Sequence, residues 1–185
     1  MKKLLVLLLL TASAFAQCGV ELKAKKTMQD SDVSSVDTKT VSTYTVKQLS
    51  GMTAPNRADI DHATKRFPIE KQTIKVTGLF IGFKLESDSD FHIVIADPKD
   101  RTKTMIVEIP SPSCLKGLLA VQAKLMRLAI EAKYGKATPK FKKIPNPQTV
   151  TVVGIGFIDF IHGQTGVAPD GYELHPVTQI TWTNN

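Results

Sequence analysis

Glu173 and His175 stand two apart in GVAPDGYELHPV, residues 166–177, just after a Pro-Asp-Gly turn. His162 lies at the end of the apolar run before that turn. On a strand, residues two apart leave the same face. A carboxylate and an imidazole on one face suit a hydrogen-bonded pair, a divalent cation or a general acid/base unit. The same pair can also serve only to hold a hairpin shut. A second acidic stretch, ESDSDFH, carries Glu86, Asp88, Asp90 and His92. Three of the four histidines therefore fall beside these two stretches, and an inert barrel has no need of that. The fourth, His62, sits among charged neighbours and reads as solvated surface.

The candidate binding set is Asp88, Asp90, His92, Glu108, Asp159, His162, Glu173 and His175. Within it, His92, His162, Glu173 and His175 are the candidates for acid/base work. Asp90, Glu108, His162, Glu173 and His175 are the candidates for a divalent cation. Their spacing matches no recognised zinc pattern. The alternating acids of ESDSD lack the length, central glycine and closing glutamate of an EF-hand loop. A structural or substrate-positioning role is therefore preferred over a metal. The chain has no phosphate-cradling glycine loop, CxxC pair, HExxH or GxSxG. Cys114 follows a helix start, where a thiol could be activated, but no histidine adjoins it in sequence.

The elements that must position these residues are strands. QTIKVTGLFIGFKLE, FHIVIAD and TMIVEIP are β-branched and aromatic runs separated by turns. SPSCLKGLLAVQAKLMRLAIEAKYG reads as a helix, with Ser111 as cap, Pro112 at the first position and Gly135 at the end. Its stripe Leu115, Leu118, Leu119, Gln122, Leu125, Met126, Ala129 and Ile130 has helical spacing and reads as core. TVTVVGIGFIDFIH and YELHPVTQITWT are two further strands. The order β-β-β-α-β-β is that of a five-stranded OB-fold-like Greek-key barrel, and paired glycines in strands one and four let those strands curve. In that fold the ligand lies across strands two and three, rimmed by the loops that carry the acids and histidines here.

MKKLLVLLLLTASAFAQ has the charged start, short apolar middle and small-residue site of a signal peptide, with the cut expected after Ala16. Phe15 and Gln17 do not fit a lipid-attachment site at Cys18. The domain division is a signal peptide at 1–16, a flexible Ser/Thr/Lys-rich leader at 17–55 and an OB-fold-like domain at 56–185. Within the leader, TVSTYTV is a candidate short strand. No other run is apolar enough to span a bilayer, so a secreted or periplasmic monomer is expected. The formal net charge is +7, of which Lys2 and Lys3 account for 2, leaving +5 after cleavage. That excess admits an anionic partner without requiring one. Cys18 and Cys114 are the only cysteines. They form a bridge, two free thiols or an intermolecular bond.

Three stretches together, Asp88–His92, IVEIPSPSC (Ile106 to Cys114) and DFIHGQTGVAPDGYELHP (Asp159 to Pro176), resemble a group of uncharacterised exported bacterial proteins. GxxPxGxELHP is the most specific motif. The resemblance spans about Arg66 to Ile180, implies export and one compact domain, and implies no activity. The chain is also loosely similar to the staphylococcal nuclease family, exported OB-fold enzymes that use calcium. By that likeness Asp90 matches the second acid of the first hairpin turn, Glu108 the acid closing strand three, and Pro110 the proline after it. Ser111 stands where that family has its catalytic glutamate, and Lys103 where it has an arginine that grips phosphate in two places. The nuclease mechanism does not carry over intact. The reading is an exported OB-fold binding module for a polyanion, nucleic acid or oligosaccharide. The alternative is a metal-assisted, phosphodiesterase-like hydrolase built on the His/acid loops.

Overall fold

Strands and one long helix make up most of the chain from Gln72 on. The computed structural model describes residues 18–20, 22–53, 55–61 and 65–183. The signal-peptide segment and His62 lie outside the described residues. The strands are β1 (Asp37–Thr45), β2 (Gln72–Leu85), β3 (Phe91–Ala96), β4 (Thr104–Ile109), β5 (Lys142–Lys143), β6 (Thr149–Ile158) and β7 (Tyr172–Trp182). The helices are α1 (Lys23–Lys26), α2 (Val46–Leu49), α3 (Arg57–Asp61) and α4 (Gly117–Tyr134).

Five strands close into a barrel in the order β2-β3-β4-β7-β6 and back to β2. Every contact is antiparallel except β4 with β7, which run parallel. With α4 between the third and fourth barrel strands, this is the OB arrangement expected from the sequence. β2 is long enough to serve twice. Thr73–Leu79 pairs with β6, and Leu79–Leu85 pairs with β3 after a register shift between Phe80 and Gly82. Gly156 on β6 admits the turn Pro68–Lys71, because a Cβ there would collide with the Ile69 carbonyl oxygen.

Ile93, Ile95, Val107, Ile109 and Leu174 face the barrel core with Ile74, Val76, Phe80 and Phe83. Burying each aliphatic side chain contributes roughly 1.5–3 kcal/mol. α4 rests on the barrel through Ala123, Met126 and Ile130. The contact stripe is narrower than the apolar pattern suggests, since Leu118 and Leu125 are 71% and 61% exposed. The start of the helix also differs from the expectation. Pro112–Cys114 is a single 3-10 turn, Leu115 is extended, and α4 begins at Gly117 with Lys116 as its N-cap residue. Ser111 is claimed from elsewhere: its amide donates to Asp90 Oδ1 at 2.9 Å and its hydroxyl pairs with Ser113 Oγ. Cys114 is bridged to Cys18, so the activated-thiol reading falls.

The segment read from composition as a leader is laid against the barrel over Leu22–Met52. β1 covers the expected TVSTYTV strand and pairs in parallel with β2. Val46 and Leu49 are fully enclosed. Lys25 pairs with Glu70 at 3.0 Å, and Arg66 grips Asp30 at 2.6 Å. Few large apolar residues are needed, because charges and the Cys18–Cys114 bridge supply the attachment.

Candidate functional site

His92, Glu108 and His175 form a row across three adjacent strands. His92 on β3 lies directly opposite Glu108 on β4, and the parallel register of β4 with β7 brings His175 to the other side of Glu108. Their chain neighbours Ile93, Val107 and Leu174 point into the core. Strand alternation therefore turns the row outward, onto the barrel face where OB-folds take ligands. Glu173, two before His175, shares that outer face.

An outward row on a bare barrel would be wet. Here His92, Glu173 and His175 are 1%, 2% and 0% exposed. Two coverings account for this. The β6–β7 loop folds down so that Thr165 O accepts from His92 Nε2 at 2.8 Å. Gly166, with a positive φ of 78°, packs where a Cβ would strike the Val94 side chain. The second covering is the N-terminal strap. Cys18 is bridged to Cys114, its amide donates to Asp88 O at 3.1 Å, and Gln29 Nε2 donates to Cys114 O. Lys26 on α1 then reaches Asp159 Oδ2 at 3.0 Å.

Between the coverings lies a cleft of about 280 Å³. Glu86, Asp88, Glu108, Asp159 and Glu173 give it five carboxyl groups, and Lys26, His92 and His162 line it too. The structure thus brings Asp88, His92, Glu108, Asp159, His162 and Glu173 of the expected set to one cleft. His162 is an exposed residue of the rim. Asp90 and His175 lie behind the wall, where they hold Glu108 and the Ser111 amide. Arg127 of α4 fixes the β2–β3 turn by donating to Ser89 O at 2.8 Å and stacking over Phe91.

Glu108 Oε1 lies 3.0 Å from His92 Nδ1 and Glu108 Oε2 3.2 Å from His175 Nδ1. His175 Nε2 lies 3.4 Å from Asp90 Oδ2. The two His175 contacts fall outside hydrogen-bond geometry, so both of its nitrogens lack an aligned partner and the attraction is electrostatic. Burial pushes Glu108 upward, but His175 and His92 override it and hold the carboxyl well below its usual range. Burial works against the charged rings of both histidines. Glu108 and Thr165 O for His92, and Asp90 and Glu108 for His175, outweigh it and raise both pKa values. Glu173 goes the other way. Burial first, then the charges of Glu108 and Asp159, push its carboxyl well above the usual range. Its Oε2 has no hydrogen-bond partner. Burial opposes the charge on Lys26, and Asp159, Glu108 and Glu173 more than restore it.

Among the described residues, two groups have the spacing of cation ligands: Glu86, His92 and Glu108 on the cleft, and Asp90, Glu108 and His175 in the wall. Sequence reasoning missed Lys26, whose tract ELKAKK gives no signal of a site, and the Thr165 carbonyl, which no side-chain pattern reveals. Glu86 was visible only as one acid of a turn. Among known proteins, no family model, no curated protein and no solved structure matches the chain. No helix among the described residues is long and apolar enough to cross a membrane.

Proposed function

We propose that the protein is an exported OB-fold binding module that takes the end of an oligosaccharide in the cleft. Export rests on the signal-peptide pattern, and the Cys18–Cys114 bridge is compatible with an oxidising compartment, secreted or periplasmic. One observation carries the ligand class: five carboxyl groups and two imidazoles converge on a small cleft on the OB ligand face. Carboxylates accept hydrogen bonds from sugar hydroxyls. They repel phosphate, by roughly 4 kcal/mol per close like-charged pair near a surface. A polyanion or nucleic acid is therefore the weaker partner despite the net charge of +7. The volume lies just under the roughly 300–1,000 Å³ of drug-sized pockets, which suits a chain end. Calorimetric titration in chelator, with neutral oligosaccharides and single-stranded oligonucleotides at low and raised salt, tests the reading. Saccharide binding indifferent to salt is expected. Oligonucleotide binding that falls with salt, or no binding by either class, overturns it.

A second reading, a hydrolase, has its own observation. Glu173 and Glu108 border one cleft with pKa values pushed apart, one up and one down. Such a split assigns a proton donor and an acceptor. Glu173 would donate to a leaving group and Glu108 would take the proton of water, with His92 and His162 at the rim and His175 and Asp90 holding Glu108. Release of product from nitrophenyl glycosides or phosphodiesters, abolished by Glu173→Gln, checks it.

A further inference from the structure

We infer that Glu86, His92 and Glu108 form a binding site for one divalent transition-series cation, zinc or manganese, in the cleft that Glu173 also lines. The inference does not depend on which organic ligand enters the cleft. His92 Nδ1 lies 3.0 Å from Glu108 Oε1 and 3.3 Å from Glu86 Oε1. Ligands bound at about 2.1 Å around one ion, at right or tetrahedral angles, stand about 3.0–3.4 Å apart. His92 Nδ1 and Glu108 Oε1 are hydrogen-bonded, and all three donors lie within 4.8 Å of one another, so a cation would take the place of the proton between them.

The second independent observation is Glu173. It is 2% exposed, it lines the same cleft, and its Oε2 has no hydrogen-bond partner. A buried carboxyl oxygen left unsatisfied is costly unless something occupies the space before it. A cation held in the same cleft gives this carboxyl a nearby positive charge in place of a hydrogen-bond partner.

The surroundings match what ligating groups need. A histidine that binds metal through one nitrogen commonly donates the other N–H to a carbonyl, and His92 Nε2 does so to Thr165 O. Glu108 is braced from behind by His175, itself beside Asp90. Glu86 is half-buried at the mouth, which leaves an entry path from the cleft. The wall group Asp90, Glu108 and His175 is fully buried and has no such path. One imidazole nitrogen among carboxylate oxygens suits zinc or manganese, whereas calcium takes oxygens alone. Two cations oppose the ion: partly buried Lys26, which lines the cleft and pairs with Asp159, and Lys84, whose ammonium lies 2.8 Å from Glu86 Oε1.

The test is calorimetric titration of the chelator-stripped protein with zinc, manganese and calcium chlorides. One equivalent of zinc or manganese binds, and calcium does not compete. Glu86→Gln, at a half-exposed position that leaves the fold intact, weakens binding by about tenfold or more, as does His92→Gln. Asp100→Asn, in the β3–β4 turn and outside the cleft, leaves affinity unchanged. Cobalt in place of zinc gives a visible absorption band that Glu86→Gln alters. Three results overturn the inference: no binding of zinc or manganese at millimolar concentration, unchanged affinity in Glu86→Gln, or an equal loss in Asp100→Asn. The saccharide titrations are run in chelator, so they fail or succeed separately from these.

Discussion

Ile93, Val107 and Leu174 point into the barrel, while their chain neighbours His92, Glu108, Glu173 and His175 point out of it, and both sets are buried. The inner layer is held by packing, which any well-sized apolar set achieves. The outer layer is held by charge, by the strap from Cys18 to Lys26 and by the β6–β7 loop. A buried acid-and-imidazole layer costs desolvation, and its Glu173 and His175 atoms are incompletely paired. A barrel whose outer face only met solvent would need neither covering. The difference singles out the outer layer as the candidate site and the inner layer as its frame.

The sharpest contrast is between substitutions on the paired strands β4 and β7 that face opposite sides of the barrel wall. Leu174→Ala costs about 2–5 kcal/mol in urea unfolding and leaves cation affinity per folded molecule unchanged. Glu108→Ala costs about 3–5 kcal/mol, because two histidines lose their counter-charge, and removes cation binding as well. Equal binding by both variants would break the division between frame and site. Replacing Cys18 and Cys114 with serine opens a loop of 96 residues and costs about 2–4 kcal/mol in the same assay. The damage falls on the strap, so cleavage by a protease within residues 18–53 is expected to rise while barrel fragments persist. Gly166→Ala costs about 1–2 kcal/mol, because φ there is positive and Val94 fills the space. Lys26→Gln tightens zinc or manganese binding by up to about tenfold, as titration reads it, by removing the opposing charge.

The smallest effect is a slope with pH, measured by thermal unfolding in chelator. Folded Glu173 keeps a proton that the unfolded chain releases above its ordinary value of 4.5, so its contribution declines as pH rises from there. His92 and His175 stabilise fully below the ordinary 6.5, and their contribution is lost as pH rises through their raised folded values. Glu108 acts oppositely, and its contribution is lost only as pH falls through its lowered value. Stability is therefore highest on the acid side of neutrality. Glu173→Gln flattens the decline between pH 4.5 and neutrality, with Glu86, Glu108, Asp159 and Lys26 still facing the position.

The barrel was legible because its strands carry their own period and their glycines and turns bound them. The start of α4 was not. Ser111 and Pro112 obey the local rules for a helix N-terminus, but Asp90 and Cys18 reach the same residues from distant parts of the chain. Leu118 and Leu125 fit an apolar stripe equally well whether the barrel reaches them or not. Of the site, Glu173 and His175 were legible as a same-face pair, and His92 as a histidine on a strand. Their meeting at Glu108 depends on the parallel β4–β7 register, which joins strands more than sixty residues apart.

By itself the sequence determined which residues alternate, where the chain turns, and hence a five-stranded barrel with acids and histidines at two hairpins. Those features are local, set by side-chain period and backbone preference over a few residues. Only the tertiary structure decided that the outer face is covered, that Lys26 enters the cleft, that the cysteines pair, and that five carboxyl groups gather where +7 overall charge suggests the opposite. Charge and burial at a point are sums over everything nearby in space, and nearness in space across a closed barrel is not written in nearness along the chain.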